Sequence, residues 1–218
     1  MNNTSTGRHC CHGVCVQAFT LAELLVVIAV MGIVIAISIP AFQGIGRGAG
    51  MRAATVQVKT TLGLARQWAI THRQRTYVVF PTWYSGMSSN SYKACRAYGV
   101  FAVTDLATGS GYYAKDWTFL PPGVVFNTDG TLSATVFANS CLTNVPFPSA
   151  GSPQRLMNVV AFKPDGAGGR VGDYRVYLAE GGVVVDTSTW TVAYDVQPTG
   201  VVRSVHVYGL TGGLRVRE

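Results

Sequence analysis

The residue types able to do chemistry in this 218-residue chain gather at the extreme N-terminus and in one apolar run just after it. The stretch "RHCCHGVC" brings His9, Cys10, Cys11, His12 and Cys15 together, and these are zinc-ligand types. No second cysteine or histidine pair follows at zinc-finger distance, so the spacing argues against a metal site, and neither metal nor cofactor is expected. Beyond residue 18 the only histidines are His72 and His206, and neither adjoins a carboxylate or cysteine in a catalytic arrangement. His72 falls near an expected helix end, where a favourable dipole interaction accounts for it. The segment "FKPDGAGGRVGDY" has the glycines of a phosphate-cradling loop but lacks the lysine and serine or threonine that should follow them. Asp165 and Gly166 between two β-rich runs fit a turn instead. No nucleophile elbow or metal-binding HExxH motif occurs, and the reading is not an enzyme.

The most informative single residue is Glu23. It is the only charge in the apolar run from Phe19 to Ile39, within "AFTLAELLVVIAVMGIVIAISIPAF". A charge deep in hydrocarbon is disfavoured by roughly 3 kcal/mol even on lenient scales. About 20 apolar residues suffice to cross a bilayer as a helix, and the run is too long for the apolar region of a secretory signal peptide. One transmembrane helix is therefore expected, with a carboxylate near its start.

The composition, 48% hydrophobic and 12% charged, fits one good-sized domain plus an anchor. Only Cys95 and Cys141 lie outside the N-terminal cysteine group. In an exported domain they suggest one disulfide, the alternative being two buried free thiols. The formal charge is +7, and only Arg8 of the 17 Lys and Arg residues precedes residue 19, so the remainder is basic. Such a surface attracts nucleic acid, anionic lipid or acidic partners. In the tail "GLTGGLRVRE", Leu214, Arg215, Val216 and Arg217 alternate as a terminal edge strand would, with both arginines on one face. A solvated edge whose charges discourage aggregation is the favoured account of them.

The elements that must position these residues follow from periodicity. After Pro40, the glycines Gly44, Gly46, Gly48 and Gly50 are expected to loosen the helix before good helix formers resume. Ala54, Val58, Leu62, Ala65 and Ala69 then recur at helical spacing on one face, while Arg52, Lys59, Arg66 and Arg73 form a second stripe. From Thr76 onward short β-rich runs, including "TYVVFP", "YGVFAV", "NVVAFKPDG" and "VVRSVHVYGL", read as antiparallel strands. Gly181 and Gly182 in "AEGGVVV" are a hairpin cue, and the text between Ser133 and Gln154 is loop-like. The expected class is α+β: a long N-terminal helix packed on a C-terminal antiparallel β-rich globular domain.

The opening run resembles the N-terminal signature of type IV pilins and type II secretion pseudopilins. In that family a leader is cut before a Phe, with a Thr next and a Glu fifth in the mature chain. Here these are Phe19, Thr20 and Glu23, with Ala18 standing where the family has Gly before the cut. The family's mature Gly and Pro fall on Gly32 and Pro40. Later stretches, "MRAATVQVKTTLGLARQWAITHRQRTYVVF", "VAFKPDG" and "TGGLRVR", are similar to the GspH/FimT branch. The resemblance implies a leader over 1–18, a transmembrane and filament-core helix over 19–40, its amphipathic continuation over 41–75 and a pilin-like domain over 76–218. It further implies cleavage by prepilin peptidase between Ala18 and Phe19, methylation of Phe19, assembly through Glu23 and helix melting at Gly32 and Pro40. The implied partners are other pilins and an inner-membrane assembly platform, with the globular domain in the periplasm or outside the cell. DNA contact through Arg215 and Arg217 is the alternative function, not the favoured one, because the family's direct Gly-Arg step is displaced by Leu214.

Overall fold

A computed structural model describes residues 20–82, 92–129, 132–138, 141–170, 172–186, 191–196 and 202–217, without the side chains of 37–47, 185–186 and 191–196. The architecture is α+β, one N-terminal helix followed by antiparallel strands. The chain divides into two compact units, Met1–Gly44 and Ile45–Glu218. Helix α1 runs over Leu21–His72, and the glycines expected to loosen it leave it helical throughout. Each costs about 1 kcal/mol of propensity, which cooperative helix on both sides outweighs. The helix ends where Arg73 turns left-handed, φ 52°, and Gln74 N–H closes back onto Ala69 O at 3.2 Å. That six-to-one bond terminates a helix in the way glycine usually does, here with an arginine in the strained position.

The second unit is built on the face that the helical spacing marked out. Ala54, Val58, Leu62, Ala65 and Ala69 are all buried, together with Met51. They share one core with residues of two antiparallel sheets, among them Val78, Phe80, Tyr98 and Phe162 of the first and Phe126, Val176, Leu178 and Val205 of the second. Phe80 packs edge-on against Phe126 at 5.1 Å between ring centres, so the core is closed by aromatic contacts between the sheets.

In the first sheet the strand order is β3-β2-β1-β6-β5, with β1 Thr76–Phe80, β2 Ala97–Asp105, β3 Ser110–Phe119, β5 Leu142–Pro146 and β6 Gln154–Phe162. Every residue of β1 is buried because each face of this sheet carries its own core. Tyr77, Val79, Phe101, Val103, Met157 and Val159 form the second cluster on the face away from α1. That cluster is roofed by the end of β5 and the residues after it: Tyr113 Oη donates to Pro146 O at 2.7 Å and Trp117 Nε1 to Pro148 O at 2.8 Å. Strand β5 corrects the loop-like reading of 133–154. It pairs with β6 from Leu142↔Asn158 to Pro146↔Gln154.

The second sheet has the order β10-β9-β7-β4, with β4 Val124–Phe126, β7 Tyr174–Asp186, β9 Arg203–Val207 and β10 Leu214–Arg217; β8 Thr191–Val196 also pairs with β7. No hairpin forms at Gly181 and Gly182. Strand β7 continues through them and changes partner there, from β4 and β9 before the pair to β8 from Gly181↔Val196 onward. Two residues without side chains let one strand serve two ladders, a second meaning of strand glycine besides the turn. The turn read at Asp165 and Gly166 does form: Gly166 has φ 79°, its N–H donates to Lys163 O at 2.9 Å, and Asp165 Oδ1 accepts from Ala167 N–H at 2.9 Å.

Candidate functional site

The N-terminal unit holds the site. From 21 to 36 every described side chain is exposed, including Leu21, Leu24, Val26, Ile28, Met31 and Ile33. A helix apolar on all sides is stable only when something apolar covers it. Among the described residues no helix is long and apolar enough to cross a membrane. Among the described residues, then, the crossing helix expected over 19–40 is not found.

Glu23 is not a bare charge on this helix. Thr20 N–H donates to Glu23 Oε2 at 3.0 Å, Thr20 Oγ1 donates to the same oxygen at 2.9 Å, and Glu23 N–H donates back to Thr20 Oγ1 at 3.2 Å. This reciprocal arrangement is a capping box, in which an N-cap Thr and a Glu three residues on satisfy orphan donors of the first turn. The carboxylate also lies at the positive end of the helix dipole. The signal of the capping box in the sequence is Thr-x-x-Glu before an apolar run, Thr20 to Glu23. It makes Thr20 the hydrogen-bonding partner of Glu23 in the first turn.

Gly32 lies on the exposed helix, and a Cβ there would meet no other atom within 4 Å, so nothing in the single chain requires glycine at that position. Pro40 is within α1 but its side chain lies outside the described residues, as do Ala18, Phe19 and the His9, Cys10, Cys11, His12 and Cys15 group entirely.

In the second unit Cys95 and Cys141 are both buried and free, so the expected disulfide is not formed. Their surroundings hold them separately. Cys95 sits in a left-handed turn, φ 55°, with its N–H on Pro81 O and its carbonyl accepting from Phe126 N–H, and burial pushes its thiol up to about 12. Cys141 belongs to the shared core and receives a hydrogen bond from Arg170 Nη1 at 2.6 Å.

Arg215 and Arg217 are exposed on β10, the edge strand, while Leu214 and Val216 are half-buried, as the alternation predicted. The register sets Arg215 beside His206 and, one strand further, His206 beside Arg175. His206 is buried, and its Nε2 lies 3.4 Å from Asp173 Oδ2. Burial, and then the charges of Arg175 and Arg217, hold its imidazole below the usual range against the opposing pull of Asp173. Arg66, one member of the basic stripe along the helix, reaches across to the β-domain. Its Nε donates to Gly166 O and its Nη2 to Thr211 O, both at 2.9 Å, tying α1 to the turns before β7 and β10.

Comparison with known proteins agrees with the N-terminal geometry. The family described as the prokaryotic N-terminal methylation motif matches residues 15–39, which takes in Ala18, Phe19, Thr20, Glu23 and Gly32 and stops just before Pro40. The chain has no match among curated proteins or solved structures. A prepilin-type N-terminal signal therefore precedes an α+β, antiparallel β-rich domain in this chain.

Proposed function

We propose that the chain is a minor pseudopilin or minor pilin of the GspH/FimT kind, whose first helix is held in the bacterial inner membrane and then packed into a filament used for secretion or pilus biogenesis. The observation that carries this reading is the helix over 21–36, exposed on every side and apolar but for one capped carboxylate at its start. Such a surface needs two successive covers in the life of a pilin, lipid first and neighbouring helices afterwards. Prepilin peptidase cuts between Ala18 and Phe19, and methylation follows on the Phe19 amine.

Cleavage places the new amine one residue before Thr20, whose N–H and hydroxyl already hold Glu23. A charged carboxylate is tolerable in an apolar packing only when paired, and a misplaced neighbour would leave it unpaired. Contact between Glu23 of one subunit and the Phe19 amine of the next thus fixes register as well as affinity. Gly32 and Pro40, with low helix propensity and one missing hydrogen-bond donor, are where the helix melts on packing.

Mass spectrometry of the N-terminus tests the processing: a mature chain beginning with methylated Phe19 is expected, and an intact leader refutes it. Glu23→Ala is expected to insert into membranes at least as well as the unaltered chain and to be nearly absent from sheared filaments. Normal incorporation would refute the pairing.

A second reading, DNA binding during natural transformation, is favoured by the exposure of Arg215 and Arg217 on an edge strand beside His206 and Ser204. Replacing both arginines with alanine should then lower DNA affinity and flatten its salt dependence by about two phosphate contacts. An unchanged slope removes this reading.

A further inference from the structure

Where β1, β5 and β6 meet the segment leading into β7, a cleft of about 130 Å3 opens on the first sheet. Arg75 lies at the entry to β1, Tyr77 within it, Cys141 and Thr143 at the start of β5, and Arg170 and Tyr174 line the other side. None of the described lining residues is acidic. Two arginines thus line one small polar cavity with no acidic residue among its described lining, and guanidinium is the group whose planar donors match carboxylate and phosphate oxygens. Asp173, next in the chain to Tyr174, is engaged with His206 and Gly209 N–H, and Asp165 with its own turn.

The cleft is held in shape. Tyr174 is buried, and its Oη donates to Ala161 O at 3.1 Å. Arg170 is anchored through Nη1 on the Cys141 sulfur at 2.6 Å, and a guanidinium carries further N–H donors besides that one. Thr143 adds a hydroxyl.

We infer that this cleft is a binding site for a small oxyanion, a carboxylate or a phosphate group, clamped between Arg75 and Arg170 with Cys141 at its wall. The site is separate from the N-terminal helix and does not rest on the filament reading.

Cys141 supplies a reporter. The full-length chain in detergent is alkylated with iodoacetate, itself a carboxylate, and in parallel with neutral iodoacetamide; carboxymethylation and carbamidomethylation of Cys141 are followed by peptide mass mapping. The rate ratio of iodoacetate to iodoacetamide at Cys141 is expected to exceed that of free cysteine at least tenfold. Arg75→Ala, which leaves the Arg170 contact to sulfur untouched, should return it to the free-cysteine value, with Arg75→Lys intermediate. Acetate and inorganic phosphate, added separately, should each slow both reagents where chloride at equal ionic strength does not. The more effective of the two identifies the site as carboxylate- or phosphoryl-selective. A ratio equal to that of free cysteine, or protection by chloride matching that by acetate and phosphate, overturns the site. Unaltered tryptophan fluorescence in Arg75→Ala confirms that a lost preference reports the cleft and not unfolding; if that variant unfolds, the same comparison is read from Arg75→Lys.

Discussion

The junction of Arg66, Gly166 and Gly212 offers the sharpest test of how the helix is fixed to the β-domain. Gly212 has φ 65°, and a Cβ placed on it would sit 2.1 Å from Gly166 O and 2.9 Å from Arg66 Nε. Gly212→Ala therefore carries two costs. Left-handed backbone disfavours alanine by about 1–2 kcal/mol, and displacing a backbone carbonyl from a packed site adds about 1–3 kcal/mol. Arg66→Ala removes two charge-assisted bonds. The part-buried one to Gly166 O should cost about 1.5 kcal/mol and the exposed one to Thr211 O about 0.5 kcal/mol, hence about 2 kcal/mol together. Because both changes dismantle one contact set, the double variant should lose clearly less than the sum of the two singles. Urea unfolding followed by tryptophan fluorescence measures all three, since Trp68 and Trp117 lie in the second unit. Full additivity within about 0.3 kcal/mol, or a Gly212→Ala variant as stable as the unaltered chain, would show that the carbonyl, the guanidinium and the glycine do not act as one junction.

Leu62→Ala should cost about 2–5 kcal/mol in the same assay, since the side chain is 0% exposed at the centre of the helix face; a loss below about 1 kcal/mol would mean the two sheets close over the gap. Arg73→Gly should gain about 0.5 kcal/mol by relieving the left-handed strain at the end of α1, and a loss would locate a side-chain role for Arg73 that outweighs it. His206 titrates below its ordinary value in the fold, so the unfolded chain binds the extra proton as pH falls through about 6.5. Stability should thus be level above neutrality and decline from about pH 6.5 downward. His206→Gln should remove that part of the decline in urea midpoints between pH 7.5 and 5.5; an identical decline in both proteins would clear His206 of it.

Much of this was legible in the sequence, and where it was not the reason is physical. The core face of α1 could be read residue by residue, because helical periodicity is local and five small or branched apolar residues repeat it without fault. Most of the strands were plain as well, though β5 and the first part of β3 were not. Strand partnership was not, because it is set by contacts between distant segments: Gly181–Gly182 reads the same whether the chain turns back or one strand passes between two ladders. The β5 segment was hidden by its proline and by polar Thr143 and Asn144, which an edge position tolerates and a central one would not. Arg66 is a related case. Seven-residue spacing places it in a basic stripe without saying what that stripe meets, and only tertiary proximity shows the two carbonyls that capture it.

Glu23 marks the place where local and global reasoning had to be joined. Considered as a charge in an apolar run, it asks for a partner on another molecule. Considered as the fourth residue of Thr20-Leu21-Ala22-Glu23, it already has one, because Thr20 gives it two hydrogen bonds and takes one back. The cap lowers the penalty of holding the charge near lipid without abolishing it, since a carboxylate oxygen accepts more than one donor. The pairing proposed for a filament would then add to the cap instead of replacing it. Thr20 and Glu23 consequently make separable contributions: Thr20→Ala should weaken the first turn yet leave the carboxylate for a neighbour's amine, whereas Glu23→Gln should keep the turn and lose the pairing. Filament incorporation that survives the first change and fails with the second would separate helix capping from subunit register; the opposite pattern would make the cap the essential part.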